Sequence, residues 1–502
     1  MPPEATSGEP RQAIALPKVA TQVDGLDVVL HGGLPAGRTT LLSGGPGCGK
    51  SLLALEFLYR GALAGEPGIL VLFEEGAAAI RQNALTLGWD LAPLEQAGTL
   101  WLLEGSLDPA VVLAGDFDLQ GLLAVLGGQA TRLRARRVVL DGVDVLTRIL
   151  ADPQRERSEL YGLHRWLLDR GLTAILTMKE TPEHGPLPSY AFLDFMTDCV
   201  IKLDQRFAAQ INTRRLQVLK YRGSGFGRNE YPYVIMDDGV HILPISAIDL
   251  VQQPLGDLVT SGTPGLDTVL GGGYRSGASF LLAGAPGTGK TTLARSILQA
   301  ICVRGEKALF IAFEESESAI VTNMLSPGID LRPALQAETL RFQTALPEAA
   351  GVEEHLFRAL HTLRTFQPHL VVVDALSSTL RMGTVQAAFE YAIRLFHACK
   401  ERGTTCVFTY QISGAEEEYQ FADVGVSSLA DIIVVLRTVE SDYTLRRMLL
   451  VRKARGAAAS HQVHEFHITD RGIEVPGGAS GVRPSRGHDR RPSPRGRGGS
   501  AQ

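Results

Sequence analysis

The 502-residue sequence has no apolar stretch that reaches the roughly 18 residues a membrane-spanning helix needs. Its first residues, MPPEATSGEPRQ, lack the apolar core of a secretory signal peptide. The five cysteines are scattered and form no CxxC pair, which argues against a disulfide framework and against a zinc knuckle. We therefore expect a cytoplasmic protein with reduced thiols and no membrane contact.

Neither sign of charge is in large excess, because the formal net charge is only −5. Such a balance gives no global attraction to nucleic acid or to an anionic membrane, so any such contact would need a local patch. The one candidate is the C-terminal segment RPSRGHDRRPSPRGRGGS. Arginine-rich segments of this kind are most often solvated extensions, and we do not expect nucleic acid as a partner.

The chain contains a long internal repeat. The segment QVDGLDVVLHGGLPAGRTTLLSGGPGCGKSLLA aligns without gaps with SGTPGLDTVLGGGYRSGASFLLAGAPGTGKTTLA. An offset of 240 positions relates Lys50 to Lys290, and further along an offset of 233 positions relates Asp141 to Asp374. A repeat of this size is a whole domain, far larger than a solenoid unit, so the chain is a tandem duplication.

Within each copy, short apolar runs such as GILVLFEE alternate with helical stretches such as SLLALEFLYRGALA. This alternation predicts an α/β fold with helices on a mostly parallel sheet, of the doubly wound type. We expect a flexible N-terminus over 1–16, a first domain of this kind over 17–247 and a second over 248–476. The Gly-, Pro- and Arg-rich composition of 477–502 predicts a disordered tail.

Each copy carries one GxxxxGK[ST] motif, GGPGCGKS at 44–51 and GAPGTGKT at 284–291. Each motif follows an apolar run and opens a helical one, which is the context of a phosphate-binding P-loop. Its backbone N–H groups and the start of the following helix would hold the phosphates of ATP. The predicted ATP-binding residues are Gly44, Gly45, Pro46, Gly47, Cys48, Gly49, Lys50 and Ser51, and Gly284, Ala285, Pro286, Gly287, Thr288, Gly289, Lys290 and Thr291.

An aspartate closes one buried apolar run in each copy: Asp141 after RRVVL and Asp374 after HLVVV. A carboxylate at the tip of such a strand is in the position of a Walker B aspartate, which binds the magnesium shell. With the hydroxyls of Ser51 and Thr291 it would hold Mg²⁺. The alternative is an ordinary aspartate that opens a loop.

Two adjacent glutamates end the preceding strand of each copy, Glu74 and Glu75 after ILVLF and Glu314 and Glu315 after LFIAF. A carboxylate there can orient water, or take a proton from a hydroxyl, for in-line attack on a γ-phosphate. Adjacent strand residues face opposite sides of a sheet, so we expect one member of each pair to act. The alternative is a solvated strand end.

Late in each copy, a lysine and an arginine lie two positions apart on a strand: Lys220 and Arg222 in LKYRG, Lys453 and Arg455 in VRKARG. Both members of a pair would lie on one face and could reach ATP bound by a neighbouring subunit. An exposed, charged strand face is the alternative.

These motifs, in this order and together with EYPYVIMDDGVHILP at 230–244, closely resemble KaiC, the ATPase and autokinase of the cyanobacterial circadian clock. The resemblance covers roughly residues 17–475 and implies two tandem RecA-like P-loop domains. It also implies a two-tiered homohexamer with ATP between subunits, in which the first ring hydrolyses ATP and the second phosphorylates itself. Lys220, Arg222, Lys453 and Arg455 would then contact the ATP of the adjacent subunit.

The resemblance also assigns phosphoacceptors. In ADVGVSSLADIIVVL, Ser427 and Ser428 stand where KaiC carries adjacent Ser and Thr. Two serines are also ordinary helix caps, which is the alternative. Ala422 replaces a family threonine, and the tail differs from the segment that KaiC's activator grips. The resemblance thus implies a KaiB-like partner, while the tail argues against a KaiA-like activator.

The first hypothesis is therefore an ATP-hydrolysing serine autokinase of the KaiC type. A DNA-dependent ATPase of the RecA/RadA type is the second, because one fold serves many functions. It predicts stimulation by single-stranded DNA and a steep salt dependence. The third is a regulatory ATPase without kinase activity.

Overall fold

The structure is a computed structural model, and it describes most of the chain. The described residues are 16–105, 119–150, 153–180, 191–208, 211–244, 253–382, 384–412, 426–441 and 443–476. The expected flexible start and the expected disordered tail fall outside these ranges, except for residue 16. So does Ala422.

By their contacts, the described residues form two compact units. The first lies within residues 1–252, 345–367 and 378–401, and the second within residues 253–344, 368–377 and 402–502. Each unit contains one nine-stranded sheet and one two-stranded sheet.

The first unit's strands come from the first copy of the repeat. They are β1 (Lys18–Val19), β2 (Leu34–Pro35), β3 (Thr39–Gly44), β4 (Gly68–Leu72), β5 (Leu100–Glu104), β6 (Arg137–Asp141), β7 (Thr173–Lys179), β8 (Cys199–Ala208), β9 (Ile211–Tyr221), β10 (Glu230–Met236) and β11 (Gly239–Ile242). The large sheet has the order β11-β10-β9-β8-β3-β7-β6-β4-β5. The six strands from β8 to β5 are parallel, and β9, β10 and β11 continue the sheet as antiparallel strands.

The second unit repeats this topology. Its strands are β12 (Leu258–Val259), β13 (Tyr274–Arg275), β14 (Ser279–Gly284), β15 (Ala308–Ala312), β16 (Leu340–Thr344), β17 (Leu370–Asp374), β18 (Thr405–Gln411), β19 (Ile432–Ser441), β20 (Thr444–Ala454), β21 (Val463–Thr469) and β22 (Gly472–Glu474). The order β16-β15-β17-β18-β14-β19-β20-β21-β22 matches the first sheet strand for strand. The prediction of an α/β fold with two tandem RecA-like domains is confirmed.

The helices lie between the strands in sequence. In the first copy they are Leu26–Val29, Lys50–Leu63, Ala77–Leu85, Ala92–Gln96, Leu119–Leu133, Val143–Leu150, Pro153–Asp169 and Ala191–Met196. In the second they are Pro264–Val269, Lys290–Val303, Glu317–Asn323, Arg332–Gln336, Val352–Phe366, Val385–Glu401 and Val426–Leu429, with short 3-10 helices at Pro347–Ala349 and Leu376–Arg381. None of the helices in the described ranges is long and apolar enough to cross a membrane.

The central strands are buried along their whole length because both faces of each sheet are covered. β3, β4, β6, β14 and β15 are buried at every residue. This is the pattern expected of parallel strands that carry packed side chains on both faces. In each sheet the P-loop strand lies between two parallel neighbours, and its carboxyl end opens on the crevice where ligands bind in such folds.

Candidate functional site

The P-loop of each unit connects a buried strand to a helix. The glycine that ends the strand, where the loop begins, has no room for a side chain. A Cβ atom on Gly44 would lie 2.3 Å from the main-chain oxygen of Leu203. A Cβ atom on Gly284 would lie 2.3 Å from the main-chain oxygen of Leu436. The glycine at this position is therefore required by the adjacent strand of the sheet, in both copies.

The P-loop lysines are folded into their own loops. Lys50 Nζ donates to two main-chain oxygens at 2.8 Å, and Lys290 Nζ makes the same two bonds at the same distances. Burial lowers the pKa of the Lys290 ammonium, and the nearby Asp374 carboxylate opposes that shift. Each loop thus holds a buried lysine ammonium against its own main-chain oxygens.

A side chain closes each loop from within. Cys48 Sγ donates to the main-chain oxygen of Gly45 at 2.9 Å, and Thr288 Oγ1 donates to that of Ala285 at 2.8 Å. The sequence motif leaves this position open, so its structural role was not predicted. Cysteine and threonine make the same contact here because each offers one donor on a short side chain.

The predicted magnesium ligands of each unit lie together. Ser51 Oγ donates to Asp141 Oδ1 at 3.0 Å, and Thr291 Oγ1 donates to Asp374 Oδ1 at 3.2 Å. A hydroxyl beside a carboxylate is a set of hard oxygen donors that suits Mg²⁺. The residues present therefore fit a magnesium ion bound with the phosphates of ATP.

A second hydroxyl orients each aspartate, and sequence reasoning missed it. Thr177 Oγ1 donates to Asp141 Oδ1 at 2.5 Å, and Thr409 Oγ1 donates to Asp374 Oδ1 at 2.6 Å. Burial raises the pKa of Asp141, while the hydrogen bonds from Thr177 and Ser51 act in the opposite direction. A threonine in a strand is common, and only its recurrence in TAILTMK and TCVFTYQ could have indicated a role.

A cavity opens at each P-loop, and it is lined by predicted phosphate-binding, metal-binding and catalytic residues. The first, of about 530 Å³, is lined by Pro46, Gly47, Gly49, Lys50, Ser51, Glu74, Glu75 and Asp141, among others. The second, of about 220 Å³, is lined by Pro286, Gly287, Lys290, Thr291, Glu314, Glu315 and Asp374, among others. Both cavities combine a phosphate loop, a cation, a hydroxyl–carboxylate pair and further carboxylates.

The paired glutamates lie beyond the strands that were expected to hold them. β4 ends at Leu72 and β15 ends at Ala312, so both pairs fall in the bend that follows. All four side chains line their cavities, and the argument from strand alternation does not apply to them. Different cations hold different members: Lys179 Nζ lies 2.6 Å from both carboxylate oxygens of Glu74, and Arg295 Nη2 donates to Glu315 at 2.7 Å.

Lys220 and Arg222 do not line the cavity of their own unit. Lys220 Nζ donates to the main-chain oxygens of Asp194, Phe195 and Thr197 at 2.6, 3.1 and 2.6 Å. Arg222 Nη2 donates to the oxygen of Phe195 at 2.5 Å. Both side chains thus donate hydrogen bonds to main-chain oxygens at the end of the helix Ala191–Met196. Arg222 lies just past the end of β9.

Lys453 and Arg455 repeat this arrangement next to a predicted phosphoacceptor. Lys453 Nζ donates to the main-chain oxygen of Ser428 at 3.4 Å, and Arg455 Nη2 donates to the same oxygen at 3.3 Å. Ser428 is exposed in the helix Val426–Leu429. Ser427 belongs to the same helix, and its side chain lies outside the described part of the structure.

Comparison with known proteins gives both repeats the same family. The family model described as "ATPase: KaiC" matches residues 19–247 and again residues 259–479. The two matches together cover most of the chain, including both P-loops and both pairs of glutamates.

Full-length relatives carry the same name. "Circadian clock protein KaiC2" of Synechocystis sp. is 38% identical over 469 residues, which are 92% of this chain and 82% of that protein. "Circadian clock oscillator protein KaiC" of Synechococcus elongatus is 34% identical over 466 residues, 92% of this chain and 89% of that protein. The protein of the same name from Parathermosynechococcus lividus is 35% identical over 463 residues, 92% of this chain and 85% of that protein. The chain therefore belongs to the KaiC family of ATPases.

Proposed function

We propose that this chain is a cytoplasmic, homohexameric enzyme that hydrolyses ATP in its first unit and phosphorylates its own serines in its second. The duplicated cavities support two nucleotide sites, because each contains a P-loop lysine, a hydroxyl–carboxylate pair and two glutamates. The differing cations around the glutamates support two different reactions.

In the first unit, Lys50 would leave its loop oxygens and bind the β- and γ-phosphates. Glu74 or Glu75 would orient a water molecule for in-line attack and accept its proton. The bond between the γ-phosphorus and the bridging oxygen breaks, and the products are ADP and phosphate. Ser51 and Asp141 would hold Mg²⁺, which neutralises charge that develops on the phosphate oxygens.

In the second unit, the attacking group would be a serine hydroxyl. Glu314 or Glu315 would accept the proton of Ser427 or Ser428 as its oxygen bonds to the γ-phosphorus, and ADP would leave. Lys290 would bind the phosphates, with Thr291 and Asp374 as the magnesium ligands. The serine and the nucleotide would come from adjacent subunits.

The observation that carries this proposal is the contact of Lys453 and Arg455 with the main-chain oxygen of Ser428. The same two cations are the proposed ligands of a neighbouring subunit's ATP. They would therefore tie the acceptor segment to the nucleotide that phosphorylates it. The equivalent position in the first unit is Phe195, which has no hydroxyl.

The test follows [γ-³²P]ATP in two full-length variants, each with one P-loop disabled. K290A should lose incorporation into the protein and keep most of the release of free phosphate. K50A should lose most of the release and keep incorporation. If K290A still incorporates phosphate, the assignment of the kinase to the second unit is wrong. Turnover without any label on serine in the wild type would favour the regulatory ATPase.

The names of the relatives support a role in circadian timing, with a KaiB-like protein as the expected partner. The phosphorylated acceptor would add nearly two negative charges beside Lys453 and Arg455 and change that surface. Co-elution of a KaiB-like protein from the same genome with the ATP-loaded hexamer would support this role. Equal elution with a variant unable to hydrolyse or transfer phosphate would contradict it.

A further inference from the structure

The second nucleotide site has a buried cation on its P-loop helix that the first site lacks. Arg295 lies on the P-loop helix of the second unit, five residues after Lys290, and the equivalent position in the first unit is Leu55, five residues after Lys50. Both side chains line their cavities. Leu55 belongs to the apolar core of its unit, so the leucine needs no special explanation. The arginine does.

Arg295 is only 2% exposed, although it carries a full charge. Its guanidinium lies over the ring of Phe310, with the Cζ atom 5.3 Å from the ring centre. Nη2 donates to Glu315 Oε2 at 2.7 Å and lies 3.6 Å from Asp374 Oδ2. No described residue accepts a hydrogen bond from its Nε. A buried charge with an incomplete set of partners is costly, and it points to a role in the site it lines.

Charged residues at other positions of the two cavities do not compensate for the charge of Arg295. The sheet register places Lys179 of the first unit opposite Gly44, and Gln411 of the second opposite Gly284. Lys179 is 40% exposed, so water and salt screen its charge, whereas Arg295 acts through the protein interior. The first cavity also has four acidic side chains where the second has three, because Ser377 replaces Asp144.

We propose that Arg295 is a positioning residue that competes with a divalent cation for Asp374. The proposal rests on the proposed function of the second unit as a nucleotide site. Asp374 directs Oδ1 to Thr291 and Thr409 and Oδ2 to Arg295, so a cation bound to this carboxylate would lie close to the guanidinium. Two positive charges that share one carboxylate in a buried site repel each other strongly.

One consequence follows for the second unit. Its ATP requires more free Mg²⁺ than the ATP of the first unit.

The experiment measures binding of a fluorescent ATP analogue, mant-ATP, by full-length protein at increasing free Mg²⁺. K50A restricts binding to the second site, and R295L is added to introduce the residue of the first copy. R295L should lower the half-saturating Mg²⁺ concentration about tenfold by removing the repulsion. R295K keeps the charge and should stay near the parent. In the reverse design, L55R in a K290A chain should raise the Mg²⁺ requirement of the first site.

Equal Mg²⁺ curves for K50A and K50A/R295L, with mant-ATP still bound, would overturn the proposal and leave the proposed nucleotide site intact. A fall in Mg²⁺ requirement in R295K as large as that in R295L would also overturn it, because packing and not charge would be the cause. Binding that survives in K50A/K290A would instead contradict the proposed function. Thermal unfolding of each variant ensures that folded proteins are compared.

Discussion

Lys453 donates a hydrogen bond to the main-chain oxygen of Ser428, and Lys220 makes the same contact with Phe195, 233 positions earlier. The duplication has kept the contact and changed the side chain that it presents. Phe195 is 75% exposed and cannot accept phosphate, while Ser428 offers an exposed hydroxyl. In the proposed enzyme, the same contact therefore presents a phosphate acceptor in the second unit and none in the first.

Removing the cations of the second unit should impair the kinase selectively. In a K453A/R455A variant the acceptor helix loses two donors, and the proposed contact with the neighbouring ATP is lost as well. We expect incorporation of ³²P to fall at least about tenfold, while phosphate release by the first unit changes little. K220A/R222A is the matched control and should show the opposite pattern. Equal losses of both activities in both variants would contradict the division of labour.

The pH dependence of Mg²⁺ binding at the first site should follow Asp141. Burial raises the pKa of this carboxyl, and only the ionised form is a metal ligand. Mg²⁺ affinity should therefore be at its maximum above the raised pKa and fall as the pH drops through it. T177V removes a hydrogen bond that lowers this pKa, so the midpoint should move to higher pH by about one unit.

Isothermal titration with Mg²⁺ and ATP between acidic and neutral pH, in a K290A chain, measures this midpoint. T173V is the control, because Thr173 lies on the same strand and its hydroxyl accepts a hydrogen bond from Gly37. An unchanged midpoint in T177V would show that the threonine does not tune the aspartate.

The glycine that ends β3 should be essential for the fold of the P-loop. In G44A the new methyl group would clash with the main-chain oxygen of Leu203, and we expect a loss of about 2 kcal/mol or more in the free energy of unfolding. A Cβ on Gly45 meets no atom within 4 Å, so G45A should cost far less. Thermal or urea unfolding compares the two. Similar losses would mean that flexibility, and not space, explains the glycine.

The two glutamates of the first unit should differ in importance. Lys179 contacts both carboxylate oxygens of Glu74, which leaves Glu75 as the better candidate to accept a proton from water. E75Q should lower phosphate release by about a hundredfold, the scale of lost general-base catalysis, and E74Q should lower it much less. A K290A background confines the assay to the first site. A larger effect of E74Q would reverse the assignment.

Much of the fold could be predicted because the duplication makes each pattern appear twice. The P-loops, Asp141 and Asp374 occur at regular offsets, and their strands are continuous apolar runs that parallel sheets require. The glutamate pairs were placed on the strands because ILVLFEE reads as one run. The chain instead bends after Leu72, which brings both carboxylates to the cavity.

Arg295 and Thr177 could not be recognised in the same way. The partners of Arg295 lie 20 and 79 positions further along, at Glu315 and Asp374, so its burial becomes evident only in three dimensions. A positively charged residue on a helix is normally read as solvated. The difference from Leu55 was present in the aligned repeats, but sequence alone does not give the distance to the metal ligands.

The central claim, serine autophosphorylation by the second unit, is tested most directly by mapping phosphosites by mass spectrometry after incubation with MgATP. The wild type and an E314Q/E315Q variant would be compared under conditions in which each binds ATP. The account predicts phosphate on Ser427 or Ser428 in the wild type, and its near absence in the E314Q/E315Q variant. Unphosphorylated serines in a wild-type protein that consumes ATP would contradict the claim.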